Sequence, residues 1–114
     1  MKIEQLQEQV IESLNDLKAI DMKILDVRDL TTLTDTMIIC TGRSNRHVKS
    51  LAENVIKKAK QLQLSYIRAE GEEDGEWVIV DLADIIIHIF QPAVREYYNL
   101  EDLWVPLKKI RKSV

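Results

Sequence analysis

The sequence predicts an α/β fold of the α+β type, in which a mixed sheet of about five strands is flanked by helices. Two segments, 3–17 and 48–62, carry apolar residues at helical spacing. Short runs rich in Val and Ile lie between and after them, and residues 77–90 alternate as the strands of a hairpin do. The chain has 114 residues, the length of one domain, which we expect to span 1–114.

The composition is that of a soluble globular protein, with 46% hydrophobic and 31% charged residues. No apolar run approaches the roughly 18 residues of a membrane span, and the N-terminus is too polar for a signal peptide, so we expect a cytoplasmic protein with no membrane contact. The net charge of −3 disfavours general nucleic-acid binding and is compatible with a basic protein partner. The single cysteine, Cys40, excludes a disulfide framework and a cysteine zinc site, and we expect it to be buried.

The first half of the chain predicts a helix, two strands and a second helix. Residues 3–17 form an amphipathic pattern, residues 23–29 indicate a strand, and the β-branched run 36–41 indicates a buried strand. Ser44 is a good N-cap for the next helix, because its hydroxyl can accept from an otherwise unpaired N–H group of the first turn. The apolar stripe of that helix consists of Val48, Leu51, Ala52, Val55, Ile56, Ala59 and Leu62.

The second half predicts further strands and a short helix. Residues 64–70 alternate weakly and indicate a third strand, which the polar turn 71–75 separates from the hairpin. A helix over 92–98 begins with a proline, whose missing N–H costs nothing in a first turn. Asn99 would cap another turn, and the basic tail 105–114 is expected to be loosely ordered.

The hairpin has two unlike faces. A short loop centred on Ala83 and Asp84 places Asp81 opposite Ile86 and His88 opposite Ile79. Because side chains alternate across a sheet, one face is aliphatic and belongs to a core: Val78, Val80, Leu82, Ile85, Ile87 and Ile89. The other face mixes aromatic, aliphatic and polar side chains: Trp77, Ile79, Asp81, Ile86, His88 and Phe90.

Three interpretations of the mixed face are open. A catalytic or metal site needs convergent ligands, yet Asp81 and His88 are diagonal neighbours and no third ligand is evident, so we predict no metal. In a half-covered face, the two polar groups would satisfy each other or nearby backbone. A protein-docking face is favoured by the aromatic residues, since five of the six in the chain lie between Trp77 and Trp104.

The junction TGRSN, between a strand and a helix, is a second segment that could carry chemistry. Backbone N–H groups at a helix start can hold an anion, and a Gly-Ser at such a junction also occurs in nucleotidyltransferases. Those enzymes need a pair of acids nearby for a divalent metal, and the following residues, NRHVKSLAENV, offer none. A capped helix start is therefore the favoured interpretation of Ser44.

Two long stretches of the chain are distinctive in their order and spacing: TDTMIICTGRSNRHVKSLAENV and AEGEEDGEWVIVDLADIIIHIFQPAVREYYNLEDLW. They resemble the ribosomal silencing factor family, also called Iojap-related. The resemblance runs from about Leu25 to Trp104, so we take 1–104 as the family core and 105–114 as a tail.

The resemblance implies a nucleotidyltransferase-like fold in a protein that is not an enzyme and needs no cofactor. It implies binding to the large ribosomal subunit through universal ribosomal protein fourteen, at the face where the small subunit docks. Such binding would block subunit joining and repress translation when nutrients are scarce. A homodimer in the free state and a minor contact of the basic tail with ribosomal RNA are further expectations.

Carried over by position, the resemblance predicts a set of docking residues: Trp77, Asp81, His88, Phe90, Arg95, Glu96, Tyr98, Leu100 and Glu101. The chain departs from the family pattern at two positions. Ala83 stands where a glycine is common, and Ala93 stands near the place of a common acidic residue. Two alternative functions are a large-subunit assembly factor and a nucleotidyltransferase-like enzyme using Gly42, Ser44 and the hairpin acids.

Overall fold

A computed structural model describes residues 2–98, which form three helices and five strands. In chain order the elements are α1 (Ile3–Asp16), β1 (Ile20–Asp26), β2 (Thr36–Thr41), α2 (Asn45–Gln61), β3 (Arg68–Glu70), β4 (Trp77–Asp81), β5 (Ile85–Phe90) and α3 (Pro92–Tyr98). The predicted mixed sheet with flanking helices is confirmed. The turn expected at Asn99 and the tail 105–114 lie outside the described residues.

The five strands form one sheet in the order β1-β2-β5-β4-β3. The central pair, β2 and β5, is parallel, and the other three pairs are antiparallel. Every residue of β2 is buried, as the short β-branched run predicted. Cys40, in the middle of this strand, is buried as expected.

Two predicted strands have different bounds. β1 begins earlier than expected, since Ile20 pairs with Thr41. It also ends earlier, because the carbonyl of Val27 accepts hydrogen bonds from Leu30 and Thr31, at 2.9 and 3.1 Å, in a turn. β3 consists of Arg68–Glu70, although 64–70 was predicted. The first part of that segment completes the end of α2 instead, where the N–H of Leu64 donates to Ala59 O at 3.1 Å.

Helices α1 and α2 both pack on one side of the sheet, which we call the covered face. The apolar stripes of the two helices meet sheet residues such as Ile38, Val80 and Ile87, all with no exposed surface. The predicted N-cap of α2 is confirmed, since Ser44 Oγ accepts from the His47 N–H at 3.1 Å.

The opposite side of the sheet is covered over one half. There the loop after β1 and helix α3 enclose a smaller apolar cluster: Val27, Leu30, Met37, Ile39 and Phe90, with Val94 packed against it. The other half has no helix on it among the described elements, and we call it the open face. Its side chains are Trp77, Ile79, Asp81, Ile86 and His88.

Candidate protein-docking site

The hairpin that builds the open face has the predicted register. Asp81 pairs with Ile86, Ile79 pairs with His88, and Trp77 pairs with Phe90. The covered face takes the aliphatic set and the opposite side of the sheet takes the mixed set, as the alternation predicted. Within the mixed set, Phe90 lies in the enclosed half and the other five residues form the open face.

The hairpin turn is tight and holds Ala83 at a positive φ of 70°. The N–H of Asp84 donates to Leu82 O at 3.0 Å, and the N–H of Leu82 donates to Ile85 O at 2.9 Å. A left-handed backbone is costly for alanine, so this position favours glycine on conformational grounds.

The carboxylate of Asp81 stabilises this turn. Its Oδ1 accepts from the Ala83 N–H at 2.8 Å. Of the two partners considered for Asp81, the structure therefore shows nearby backbone and no hydrogen bond to His88 among residues 2–98. Asp81 remains half-buried at the rim of the open face.

His88 is paired with Trp77 across the two strands. The indole Nε1–H of Trp77 donates to Nδ1 of His88 at 3.0 Å. Because an indole nitrogen can only donate, Nδ1 must carry a lone pair, and the ring proton of the neutral imidazole is on Nε2. Burial lowers the pKa of His88 from 6.5 to about 4, so the imidazole is neutral at pH 7.

Phe90 supports this pair from inside the molecule. Its ring centroid lies 4.9 Å from that of Trp77 and 6.0 Å from that of His88, with the imidazole and phenyl planes 10° apart. Phe90 has no exposed surface, so it cannot itself contact a partner. The prediction that Phe90 is a docking residue is therefore corrected: its ring packs beneath Trp77 and His88 and supports them.

Arg95 ties helix α3 to the far half of the sheet. Its Nη1 donates to the backbone carbonyl of Asp21 at 2.6 Å and to Oγ1 of Thr41 at 2.8 Å. Glu96 is exposed on the same helix, and Tyr98 is the last residue of α3. The two remaining predicted docking residues, Leu100 and Glu101, lie outside the described part of the chain.

Three exposed or half-exposed apolar side chains were absent from the predicted set. Ile79 and Ile86 lie on the open face and belong to neither apolar cluster, and Tyr97 is 82% exposed on α3. The period-two alternation of the hairpin places both isoleucines beside His88, so this signal was available in the sequence. Nothing in the local sequence separated Tyr97 from a buried tyrosine.

The rim of the open face carries charge of both signs. In the sheet register, Arg68 lies opposite Asp81 and Glu70 lies opposite Ile79. The two charged side chains of β3 therefore lie on the open face. They line a shallow hollow of about 120 Å³ together with Ile79 and Asp81. The face therefore offers apolar area at its centre and a mixed, slightly acidic rim.

The junction TGRSN is occupied by internal hydrogen bonds. The N–H of Arg43 donates to Nδ1 of His47 at 2.9 Å, and Nε2 of that imidazole lies 2.7 Å from Leu17 O at the end of α1. With Ser44 also capping the helix, these groups favour the structural interpretation of the junction over an anion site. Within the described range, no group of three or more His, Cys, Asp or Glu residues could hold a metal ion.

No helix in the described part of the chain is long and apolar enough to cross a membrane. A family model described as "Ribosomal silencing factor during starvation" matches residues 1–114. The chain belongs to the ribosomal silencing factor family.

Relatives agree with this assignment over most of the chain. A Chromobacterium violaceum protein named "Ribosomal silencing factor RsfS" is 45% identical over 104 residues, covering 91% of this chain and 85% of that protein. A crystal structure of a protein from the same organism superposes with a TM-score of 0.88 at 45% identity, covering 91% of this chain and 87% of that one. The ribosomal silencing factor fold is thus the fold described above.

A more distant relative has a different name. "Mitochondrial assembly of ribosomal large subunit protein 1" of Mus musculus is 31% identical over 98 residues, covering 83% of this chain and 43% of that protein. These names share the ribosome as their subject, and those of the family and the bacterial relative add its silencing, a form of translation regulation.

Proposed function

We propose that this ribosomal silencing factor binds the large ribosomal subunit through its open face and sterically blocks joining with the small subunit. Translation would then be repressed under nutrient limitation, in the cytoplasm and without turnover or cofactor. The observation that carries the proposal is a half-sheet on which none of the helices described in residues 2–98 packs, and whose aromatic, aliphatic and polar side chains are held in place by internal contacts.

The composition of the open face suits a protein partner. Interface centres are enriched in aromatic and aliphatic side chains and depleted of charge, and rims are polar. Trp77, Ile79 and Ile86 supply the centre, while Asp81 and Glu70 supply an acidic part of the rim. A basic ribosomal protein fits this pattern, and we assign the contact to universal ribosomal protein fourteen of the large subunit.

We assign the remaining predicted docking residues to the same surface. Glu96 and Tyr98 belong to the helix, and Leu100 and Glu101 follow it in sequence. Arg95 is assigned a structural part in the same surface, since its bonds to Asp21 and Thr41 hold the helix against the sheet.

Co-sedimentation with purified large subunits tests the proposal. The wild-type chain should pellet with them and lower the yield of joined ribosomes in a sucrose gradient. Trp77→Ala should weaken binding by at least tenfold, since truncating a central aromatic residue costs about 2 kcal/mol or more. Ile24→Ser is a matched control, because Ile24 is exposed on the same sheet outside the open face.

Unfolding in urea separates a binding defect from a folding defect. Trp77→Ala and Ile24→Ser should both unfold in a single cooperative transition. Unchanged subunit joining at a large excess of wild-type protein would refute the proposed function.

An assembly role is the second candidate, favoured by the name of the mouse relative. It would use the same surface on the same subunit, so binding alone does not separate the two. Ribosome profiles of a deletion strain do: immature large subunits during growth indicate assembly, and excess joined ribosomes during starvation indicate silencing. A homodimer of the free chain and an RNA contact of the tail stay predictions, which sedimentation equilibrium and crosslinking test.

A further inference from the structure

The imidazole of His88 lies at the centre of the open face and uses only one of its two nitrogens. Its Nε2 makes no hydrogen bond within residues 2–98. Nδ1 accepts from Trp77, and Nε2 has no acceptor among the described residues. The side chain is 8% exposed, so Nε2–H is a largely desolvated donor. Such a group costs free energy when it is left without an acceptor.

The side chains directly beside His88 along and across the sheet are apolar, and the diagonal neighbour Asp81 accepts a hydrogen bond from the Ala83 N–H. Ile79 and Ile39 lie opposite it on the two adjacent strands, and Ile86 and Phe90 lie two residues away on its own strand. None of these side chains can accept a hydrogen bond. In an imidazole, Nδ1 is next to the ring carbon that bears the side chain, and Nε2 is at the far tip of the ring. The bond to Trp77 therefore uses the proximal nitrogen and leaves the distal N–H as a donor.

We propose that Trp77 holds His88 in the Nε2–H tautomer, so that this N–H donates to a carbonyl oxygen of the protein bound on the open face. The inference rests on the proposed docking function and adds its central polar contact. Trp77 acts here as a positioning residue, and His88 makes the contact. The apolar side chains around His88 keep water away from its Nε2–H. Tight binding therefore requires that the partner supply an acceptor for this N–H.

The charge of the rim favours a protein acceptor over a phosphate of ribosomal RNA. Asp81 and Glu70 share the face with His88, and Arg68 is the one cation beside them in the β3–β4 part of the sheet. A phosphate would meet net negative charge there. A backbone or side-chain carbonyl brings no such repulsion.

Substitution of His88 by the two carboxamides tests the contact, with universal ribosomal protein fourteen and whole large subunits as probes. His88→Asn keeps an oxygen near the Nδ1 position for Trp77 but is too short to reach the partner. His88→Gln reaches the Nε2 position and can present an N–H there. We expect His88→Asn to weaken binding about tenfold and His88→Gln to retain affinity within about threefold.

The tautomer itself is measured in the free chain, where binding plays no part. Nitrogen-15 spectra of wild-type protein at pH 7 should show His88 protonated at Nε2. Trp77→Phe, which keeps an aromatic ring against Phe90 and removes the indole N–H, should show a mixture of tautomers. On addition of ribosomal protein fourteen to the wild type, the Nε2 proton should shift and exchange more slowly with water.

Each result supports or overturns the inference. Equal binding of His88→Asn and His88→Gln, or a wild-type imidazole protonated at Nδ1, overturns it even when wild-type protein binds subunits. An effect of His88→Asn seen with whole subunits but absent with the purified ribosomal protein places the acceptor on RNA and overturns the assignment to a carbonyl. Absence of any wild-type binding refutes the proposed function instead, and the tautomer measurement still stands separately.

Discussion

The two faces of the β4–β5 hairpin are made by alternate residues of the same strands, yet they are different kinds of surface. On the covered face, the aliphatic side chains of the hairpin, such as Val80 and Ile87, pack in one apolar cluster with the stripes of α1 and α2. On the open face, the aliphatic Ile79 and Ile86 surround polar groups that are each tied to the chain itself. The polar groups of the open face are therefore fixed within the free chain, which would reduce the entropy lost if the proposed partner binds there.

The sharpest way to separate the faces is to truncate adjacent residues of β5. Ile87→Ala on the covered face should lower the free energy of unfolding by about 4 kcal/mol, because it leaves a cavity in a fully buried site. Ile86→Ala should cost about 1 kcal/mol, since its side chain is half-exposed. Urea unfolding measures both.

The same pair should show the reverse order in binding. Ile86→Ala should weaken co-sedimentation with large subunits, and Ile87→Ala should bind normally under conditions in which it is folded. Equal stability losses for the two variants would mean that the faces are buried alike.

The second prediction concerns acid stability. Because burial lowers the pKa of His88 from 6.5 to about 4, the unfolded chain takes up a proton there at a pH at which the folded chain does not. The stability present above pH 6.5 is therefore lost as the pH falls toward 4, by an amount on the order of 3 kcal/mol.

His88→Gln should remove this contribution, and its difference from the wild type is the quantity to measure, because carboxylates titrate in the same range. Urea unfolding at pH 7, 6, 5 and 4.5 gives the two curves. Parallel curves would show that the imidazole is not desolvated in the folded protein.

A third prediction tests the loop that precedes the open face. Gly71 has a φ of 89°, and a Cβ added there would overlap the backbone carbonyl of Trp77. Gly71→Ala should lower the free energy of unfolding by about 2 kcal/mol and displace the start of β4. Glu73→Ala, in the same exposed loop, should have almost no effect.

The tautomer of His88 reports whether the displacement reaches the open face. If Gly71→Ala leaves both the stability and the His88 spectrum unchanged, the loop does not position Trp77.

The smallest expected effect is a gain. Ala83→Gly should raise the free energy of unfolding by about 0.5 kcal/mol, because relief of the left-handed backbone outweighs the larger entropy of glycine in the unfolded chain. Asp84→Ala is the control, because Asp84 is exposed at the next position and does not have a positive φ. Differential scanning calorimetry can resolve the shift, and a loss of stability in Ala83→Gly would contradict the argument.

Much of this architecture was predictable because burial imposes a strict period on the sequence. The stripe of α2, the buried run of β2 and the register of the hairpin all follow from the spacing of apolar residues. The bounds of β1 and β3 did not follow, since both are edge strands whose ends depend on hydrogen bonds made by Val27 and Leu64 in turns.

The candidate site was predictable as a set of residues and less so as a set of contacts. The sequence indicated that Asp81, His88 and Trp77 share a face. Which of them would pair depended on side-chain orientation, so the bonds from Ala83 to Asp81 and from Trp77 to His88 appear first in the structure. The burial of Phe90 arose from α3 and the loop after β1, which no pattern within the hairpin reveals.

The parallel pairing of β2 with β5 has a consequence for how the chain folds. It joins Thr36 to Ile85, so forming it closes a long loop that contains α2 and two other strands. Closing such a loop costs entropy before the contacts return any stabilisation, and non-local pairings slow folding. The β4–β5 hairpin, with Trp77 and His88, involves neighbours in sequence and can form earlier. The open face is thus formed by the local part of the topology, and we expect pairing of the central parallel strands to limit the rate of folding.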